Sequence, residues 1–334
     1  MTLPLRRGLP MIAACFAAMV VAVLTAPFIG STPLAFSRVF SRAIPFADNV
    51  DAQIFFIARL PRALAASLVG GTLAAAGVVF QGLLRNPLAT PYTLGVSAGA
   101  SLGAMLAITF GAATAGWVFG GVASASLLGA FLAVAIVYGL ASARHRGLST
   151  TVLLLAGVTL NAFFSALILF VQYASDFAQT FRALRWLMGD LDVASYDPVL
   201  AALPLVVIAF AAFAWLARPL NLLSMGADAA ATRGIDVVQA QRVAFFAASL
   251  ATGAAVSVGG PIGFVGIIVP HLVRLIVGAD HRLVLPASTF FGAAFLVACD
   301  AVARTVLAPI ELPVGIITAV IGGPFFLWLL ITRR

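Results

Sequence analysis

The chain contains no lysine, so all 19 of its basic residues are arginine. Charged residues of either sign make up only 9% of its 334 positions, against 63% hydrophobic, with a mean hydropathy of +1.13. A soluble domain carries roughly 25% charged residues, so a water-facing surface is excluded and the apolar residues must face lipid or one another. Without lysine, a phosphate-binding Gly-x-x-x-x-Gly-Lys-Ser/Thr loop is impossible; if ATP drives anything here, another chain hydrolyses it. The three histidines, His145, His271 and His281, have no ligand partner at metal spacing. The two Gly-x-Ser-x-Gly matches, Gly95–Gly99 and Gly99–Gly103, fall inside an apolar run and not on a strand-to-helix turn, and there is no pair of intramembrane carboxylates, so neither an enzyme nor a cofactor site is expected. The two cysteines, Cys15 and Cys299, lie far apart in apolar runs and read as packing residues. The net charge of +8 is scattered between hydrophobic runs, unlike the single basic patch of a nucleic-acid binder.

What is present is a series of hydrophobic runs, near 9–29, 58–83, 93–113, 117–141, 150–172, 197–217, 242–259, 262–279, 284–308 and 314–331. A membrane span needs about 20 apolar residues, so the expectation is an all-α membrane protein of about ten transmembrane helices forming one domain over 1–334. The first run is longer than the apolar core of a signal peptide and reads as a retained span.

Arginine placement orients the chain. With the N-terminus inside, Arg6, Arg7, Arg85, Arg144, Arg146, Arg218, Arg233, Arg242, Arg274, Arg282, Arg333 and Arg334 fall inside, against Arg38, Arg42, Arg59, Arg62, Arg182, Arg185 and Arg304 outside. That asymmetry follows the positive-inside rule and places both termini in the cytoplasm.

The second run is rich in small residues, among them Gly70, Gly71, Ala74 and Gly77. In a membrane such residues let backbones approach closely; they either pack against another helix or line a solute pathway. Proline and glycine interrupt the apolar pattern at Arg85–Pro91 and at Gly259–Gly263. Irregular backbone at membrane depth is tolerated only inside protein or beside a water-filled cavity, which points to a transporter interior.

Asp300 and Arg304 stand four residues apart on the ninth run and can neutralise each other, which argues against an ion-coupled carrier. Arg59 and Arg62 flank Pro61 at the expected outer start of the second run, where two cations oppose both the helix dipole and the charge rule. They either snorkel to headgroups or, with Arg304, receive an acidic partner outside. Inside, Asn221–Ile235 is alanine-rich, bounded by Gly226 and Gly234, and too polar to span. It is expected to form a two-turn surface helix on which a soluble partner can push.

The segments Arg59-Leu60-Pro61-Arg62, Arg85-Asn86-Pro87-Leu88-Ala89, Leu94-Gly95-Val96-Ser97-Ala98-Gly99-Ala100, Gly260-Pro261-Ile262-Gly263-Phe264-Val265-Gly266, Pro270-His271-Leu272-Val273-Arg274 and Glu311-Leu312-Pro313-Val314-Gly315 closely resemble the FecCD family. Its members are permease subunits of type II ABC importers for iron–siderophore complexes, haem and cobalamin. The resemblance implies a homodimer in the bacterial inner membrane. Two cytoplasmic ATPase subunits holding ATP-Mg and a periplasmic substrate-binding protein would complete it. It also implies that Arg59, Arg62 and Arg304 meet glutamates of the binding protein. Residues 223–235, with Ser224, Met225, Gly226, Asp228, Ala231 and Gly234, match the coupling helix that sits in an ATPase cleft. Two departures stand out: Ala227 precedes Asp228 where relatives often have an acidic residue, and Arg233 replaces a usual leucine. A ferric siderophore is the solute favoured by Pro91-Tyr92-Thr93-Leu94-Gly95, with haem or cobalamin as alternatives. An ion-coupled transporter remains the other class.

Overall fold

The computed structural model describes residues 5–111, 121–143, 149–193 and 195–332. Arg144, His145, Arg146, Arg333 and Arg334 lie outside these, as do the side chains of Arg6 and Arg7 and the facing ends of the third and fourth runs.

The helices are α1 (Leu5–Thr25), α2 (Phe36–Val39), α3 (Val50–Gln53), α4 (Leu60–Leu84), α5 (Val96–Phe110), α6 (Gly121–Ser142), α7 (Thr150–Tyr173), α8 (Phe177–Leu187), α9 (Asp197–Leu223), α10 (Ala227–Ala231), α11 (Val237–Gly259), α12 (Val265–Val277), α13 (His281–Ala303) and α14 (Val314–Thr332). Seven described helices are long and apolar enough to cross a membrane, and α5, α12 and α14 are shorter apolar helices. Each of the ten corresponds to one hydrophobic run of the sequence.

α4 is the hub. It is apolar on every face and almost wholly buried, as a helix enclosed by others must be, and it packs against α13, α11, α12 and α9. Its small residues are contact surfaces. A Cβ on Gly70 would collide with the Gly292 carbonyl of α13, and one on Gly77 with the Gly266 carbonyl of α12. A Cβ on Gly71 would lie 2.9 Å from the Thr289 carbonyl, and Ala74 fills the space beside Gly292. Gly70, Gly71, Ala74 and Gly77 therefore hold helices together within the chain.

The helix containing Arg59 and Arg62 also begins earlier than the sequence pattern indicates. It is continuous from Val50 to Leu84, with a π turn over Ile54–Arg59 in which the Leu60 N–H reaches the Phe55 carbonyl. Pro61 removes a donor and crowds the carbonyl one turn earlier; widening the preceding turn accommodates it. The two arginines are thus interior to a helix, and the dipole at its start does not act on them.

α5 and α12 have 15 and 13 residues, about 22 and 20 Å at 1.5 Å per residue, against a hydrocarbon core of about 30 Å. The missing depth is the irregular backbone expected from the proline–glycine breaks. Its polar groups are satisfied internally: the Tyr92 hydroxyl donates to the Ile262 carbonyl, Asn161 Nδ2 to the Tyr92 carbonyl at 2.7 Å, and Gln81 Nε2 to the Gly266 carbonyl at 3.1 Å. Phe264 turns the chain at φ +67°, and Gly322 of α14 leaves room for its ring.

Gly77→Val should lower stability by roughly 1–3 kcal/mol or more, the usual penalty of overpacking, measured as denaturant unfolding in detergent micelles. Gly139→Ala, where an added Cβ meets nothing within 4 Å, should leave stability nearly unchanged or slightly higher.

Candidate functional site: the two ends of the bundle

At the end carrying Arg62, five charged residues form one cluster: Arg59, Arg62, Arg304, Asp300 and Glu311. Arg62 Nε donates to Asp300 Oδ1 at 2.9 Å and its Nη1 to Glu311 Oε2 at 2.5 Å. Arg304 Nε stands 3.0 Å from Asp300 Oδ2, so the anticipated i,i+4 pair forms, with Arg62 as an additional partner. Arg59 Nη1 and Nη2 donate to the carbonyls of Pro27 and Thr32 at 3.2 and 2.7 Å, and Arg304 Nη2 to that of Ala26 at 3.3 Å.

Arg59, Arg62 and Arg304 are 8%, 7% and 2% exposed. Carboxylates and carbonyls of the chain itself hold all three. A pair buried this deeply must be matched, because withdrawing a lone charge from water costs several kcal/mol. Glu311 is the solvent-facing member, its side chain 37% exposed. Three arginines face two carboxylates, so the cluster keeps one surplus positive charge, and Arg304 Nη1 is buried with no hydrogen-bond partner among the described residues.

Beside this cluster lies α8, an amphipathic helix opened by a capping box in which Asp176 and Gln179 satisfy each other's backbone N–H. Arg185 at its end pairs with Asp190 at 2.6 Å and Asp192 at 2.9 Å. Burial raises Asp190 above the usual carboxylate range against the pull of Arg185. Met188, Ile310, Glu311 and their neighbours enclose a cavity of about 800 Å³ between α8 and the chain before α14.

At the opposite end, α9 runs to Leu223 and Gly226 turns the chain at φ +117° into α10. α10 spans only Ala227–Ala231, so the two-turn helix expected over 221–235 shrinks to little more than one turn. Gly234, at φ +80° with open space around it, terminates the excursion. Ser224, Met225, Asp228, Ala231 and Gly234 are exposed and Gly226 half-buried, and the Arg233 guanidinium rests on Met225 Sδ at 2.9 Å.

Just before this excursion, Asn221 clasps the α12–α13 turn. Its Nδ2 donates to Asp280 Oδ1 at 2.6 Å, and its Oδ1 accepts from the His281 backbone N–H at 2.8 Å. His281 Nδ1 lies 2.7 Å from the same oxygen. Since Oδ1 can only accept, the ring carries its proton on Nδ1. The sequence reading missed this clasp, Glu311's part in the outer cluster and α8. The available signal for α8 was the Asp176-x-x-Gln179 spacing ahead of an apolar pattern.

A helical body that is apolar along its length, with ordered charge at one end and a short projecting helix at the other, has close counterparts. A solved structure described as a metal-chelate type ABC transporter in an inward-facing conformation superposes with a TM-score of 0.82 at 32% identity, covering 97% of this chain and 99% of that one. The cobalamin import system permease protein BtuC of Halobacterium salinarum is 46% identical over 276 residues, 83% of this chain and 73% of that protein. The hemin transport system permease protein HmuU of Yersinia pestis is 39% identical over 284 residues, 84% of each. Fold and ends thus define a multi-pass membrane permease subunit of an ABC importer. The chain belongs to the FecCD transport family, whose model matches residues 18–332. In this family ATP hydrolysis resides on separate ATPase subunits, and the family implies a binding-protein partner as well.

Asp300→Asn should cost about 3–5 kcal/mol, as expected for breaking a buried pair from one side. Thermal unfolding of the purified chain in detergent would show it, and a melting temperature equal to the parent's would contradict the structural role given to Asp300.

Proposed function

We propose that this permease moves a bulky metal chelate, a ferric siderophore in the first instance, from periplasm to cytoplasm by alternating access. It acts as a homodimer in the bacterial inner membrane with both termini cytoplasmic. Two ATPase subunits carry the ATP-Mg, and this chain holds no cofactor of its own. The observation that carries the reading is the polarity of the bundle. The exposed α10 excursion, 224–234, occupies one end and a charge cluster with a surplus cation the other, which suits an ATPase inside and an acidic binding protein outside. The arginine asymmetry supports the orientation. The metal-chelate neighbour and the Pro91-Tyr92-Thr93 segment support the solute class, while the identity to the cobalamin permease favours a corrinoid as the second reading.

The chain would be reconstituted in liposomes with its ATPase and binding protein and offered ferric siderophore, haem and cobalamin. ATP-dependent uptake of ferric siderophore is expected. Uptake of only haem or cobalamin would remove the siderophore assignment, and uptake of none would remove the importer reading.

Docking follows from the cluster. Acidic groups of the binding protein would compete with Glu311 for Arg62, reinforced by the buried charge of Arg59 and Arg304. Glu311→Gln should therefore tighten the complex with the binding protein several-fold, and Arg62→Glu should weaken it, with ATPase assembly intact in both. Affinity of the pulled-down complex reads this; a weaker Glu311→Gln complex would contradict the exchange.

A further inference from the structure

Between α9 and α13 lies an open groove of about 470 Å³. Phe210, Ala214 and Ala217 wall it from α9, Leu285 and Pro286 from α13, and Ala75 of α4 forms its floor. Arg282, on the same groove, sits at the start of α13 with an exposed side chain. Arg218 follows Ala214 by four residues, hence on the same face of α9, and is exposed too. Because α9 ends and α13 begins on one side of the bundle, both arginines stand at the same rim. Neither forms an ion pair among the described residues. The nearest carboxylate, Asp280, is engaged by Asn221 Nδ2 and by the backbone N–H of Arg282.

From this charge complementarity we propose that the groove binds one anionic phospholipid, its phosphate held by Arg218 and Arg282 and an acyl chain lying along the aromatic and alanine wall. From Arg218 to Phe210 the α9 wall is about 12 Å long, enough for the upper part of a fatty acyl chain. Basic pockets between transmembrane helices at headgroup depth favour anionic lipid, and guanidinium groups engage phosphate oxygens in pairs. A zwitterionic lipid offers the same phosphate but brings an ammonium against two cations. The orientation proposed above sets only the leaflet, the cytoplasmic one; the site itself does not rest on the transported solute.

The purified chain would be titrated with phosphatidylglycerol and with phosphatidylcholine and followed by native mass spectrometry. Tighter binding of phosphatidylglycerol is expected. Arg218→Gln and Arg282→Gln should each weaken it about fivefold, the equivalent of about 1 kcal/mol per arginine, with phosphatidylcholine binding unchanged. Ala214→Trp, which fills the groove, should weaken both lipids. Equal binding of the two lipids by the parent chain would overturn the proposal. So would an unaltered phosphatidylglycerol affinity in the double arginine variant, loss of both lipids in that variant, or no effect of Ala214→Trp.

Discussion

Arg62 of α4 and Arg304 at the end of α13 can be buried only because Asp300 of α13 meets them both. Arg62 reaches one of its oxygens and Arg304 the other, while Arg59 and Arg304 lean on the carbonyls of Ala26, Pro27 and Thr32. The single carboxylate thereby ties together α4, α13 and the chain leaving α1. In a low-dielectric setting such a cluster is weak evidence of net stability, since each charge also lost its hydration. What it supplies is register: α13 can slide along α4 only by pulling Asp300 away from Arg62.

The same register is fixed a second time by shape. Gly70 and Gly292 bring the backbones of α4 and α13 into direct contact, and Gly77 does the same for α4 and Gly266 of α12. In lipid, where apolar surface gains nothing by meeting apolar surface, close packing is the main source of helix association. Charge at one end and glycine contact along the length therefore act on the same pair of helices, and both depend on Leu60–Leu84 being enclosed.

Much of this was legible in the sequence. Ten apolar runs marked ten helices, because hydrophobic length is a strong signal when charges are scarce. The breaks at Arg85–Pro91 and Gly259–Gly263 marked where helices α5 and α12 stop short, because proline and glycine act locally. The Asp300–Arg304 pair followed from spacing within one helix. Its third partner did not: Arg62 lies 238 residues before Asp300, and nothing local distinguishes an arginine that snorkels outward from one that folds inward. The start of the Val50–Leu84 helix was hidden for a related reason, since Asn49, Asp51 and Gln53 look like loop until Asn49 is seen capping the helix through Ala52.

The two ends of the bundle are also mechanically joined. Asn221 is the last polar residue of α9 before the α10 excursion, and its amide grips both Asp280 and His281 at the first turn of α13. α13 then runs unbroken to Asp300 and Arg304. A displacement of α10 must either break three hydrogen bonds at Asn221 or carry the start of α13 with it. Because α13 is locked in register to α4 by glycine contacts and by Asp300, whatever moves its inner end is felt at the arginines of the outer end. Coupling across the membrane then needs no long relay of side chains, only one stiff pair of helices held at both extremities.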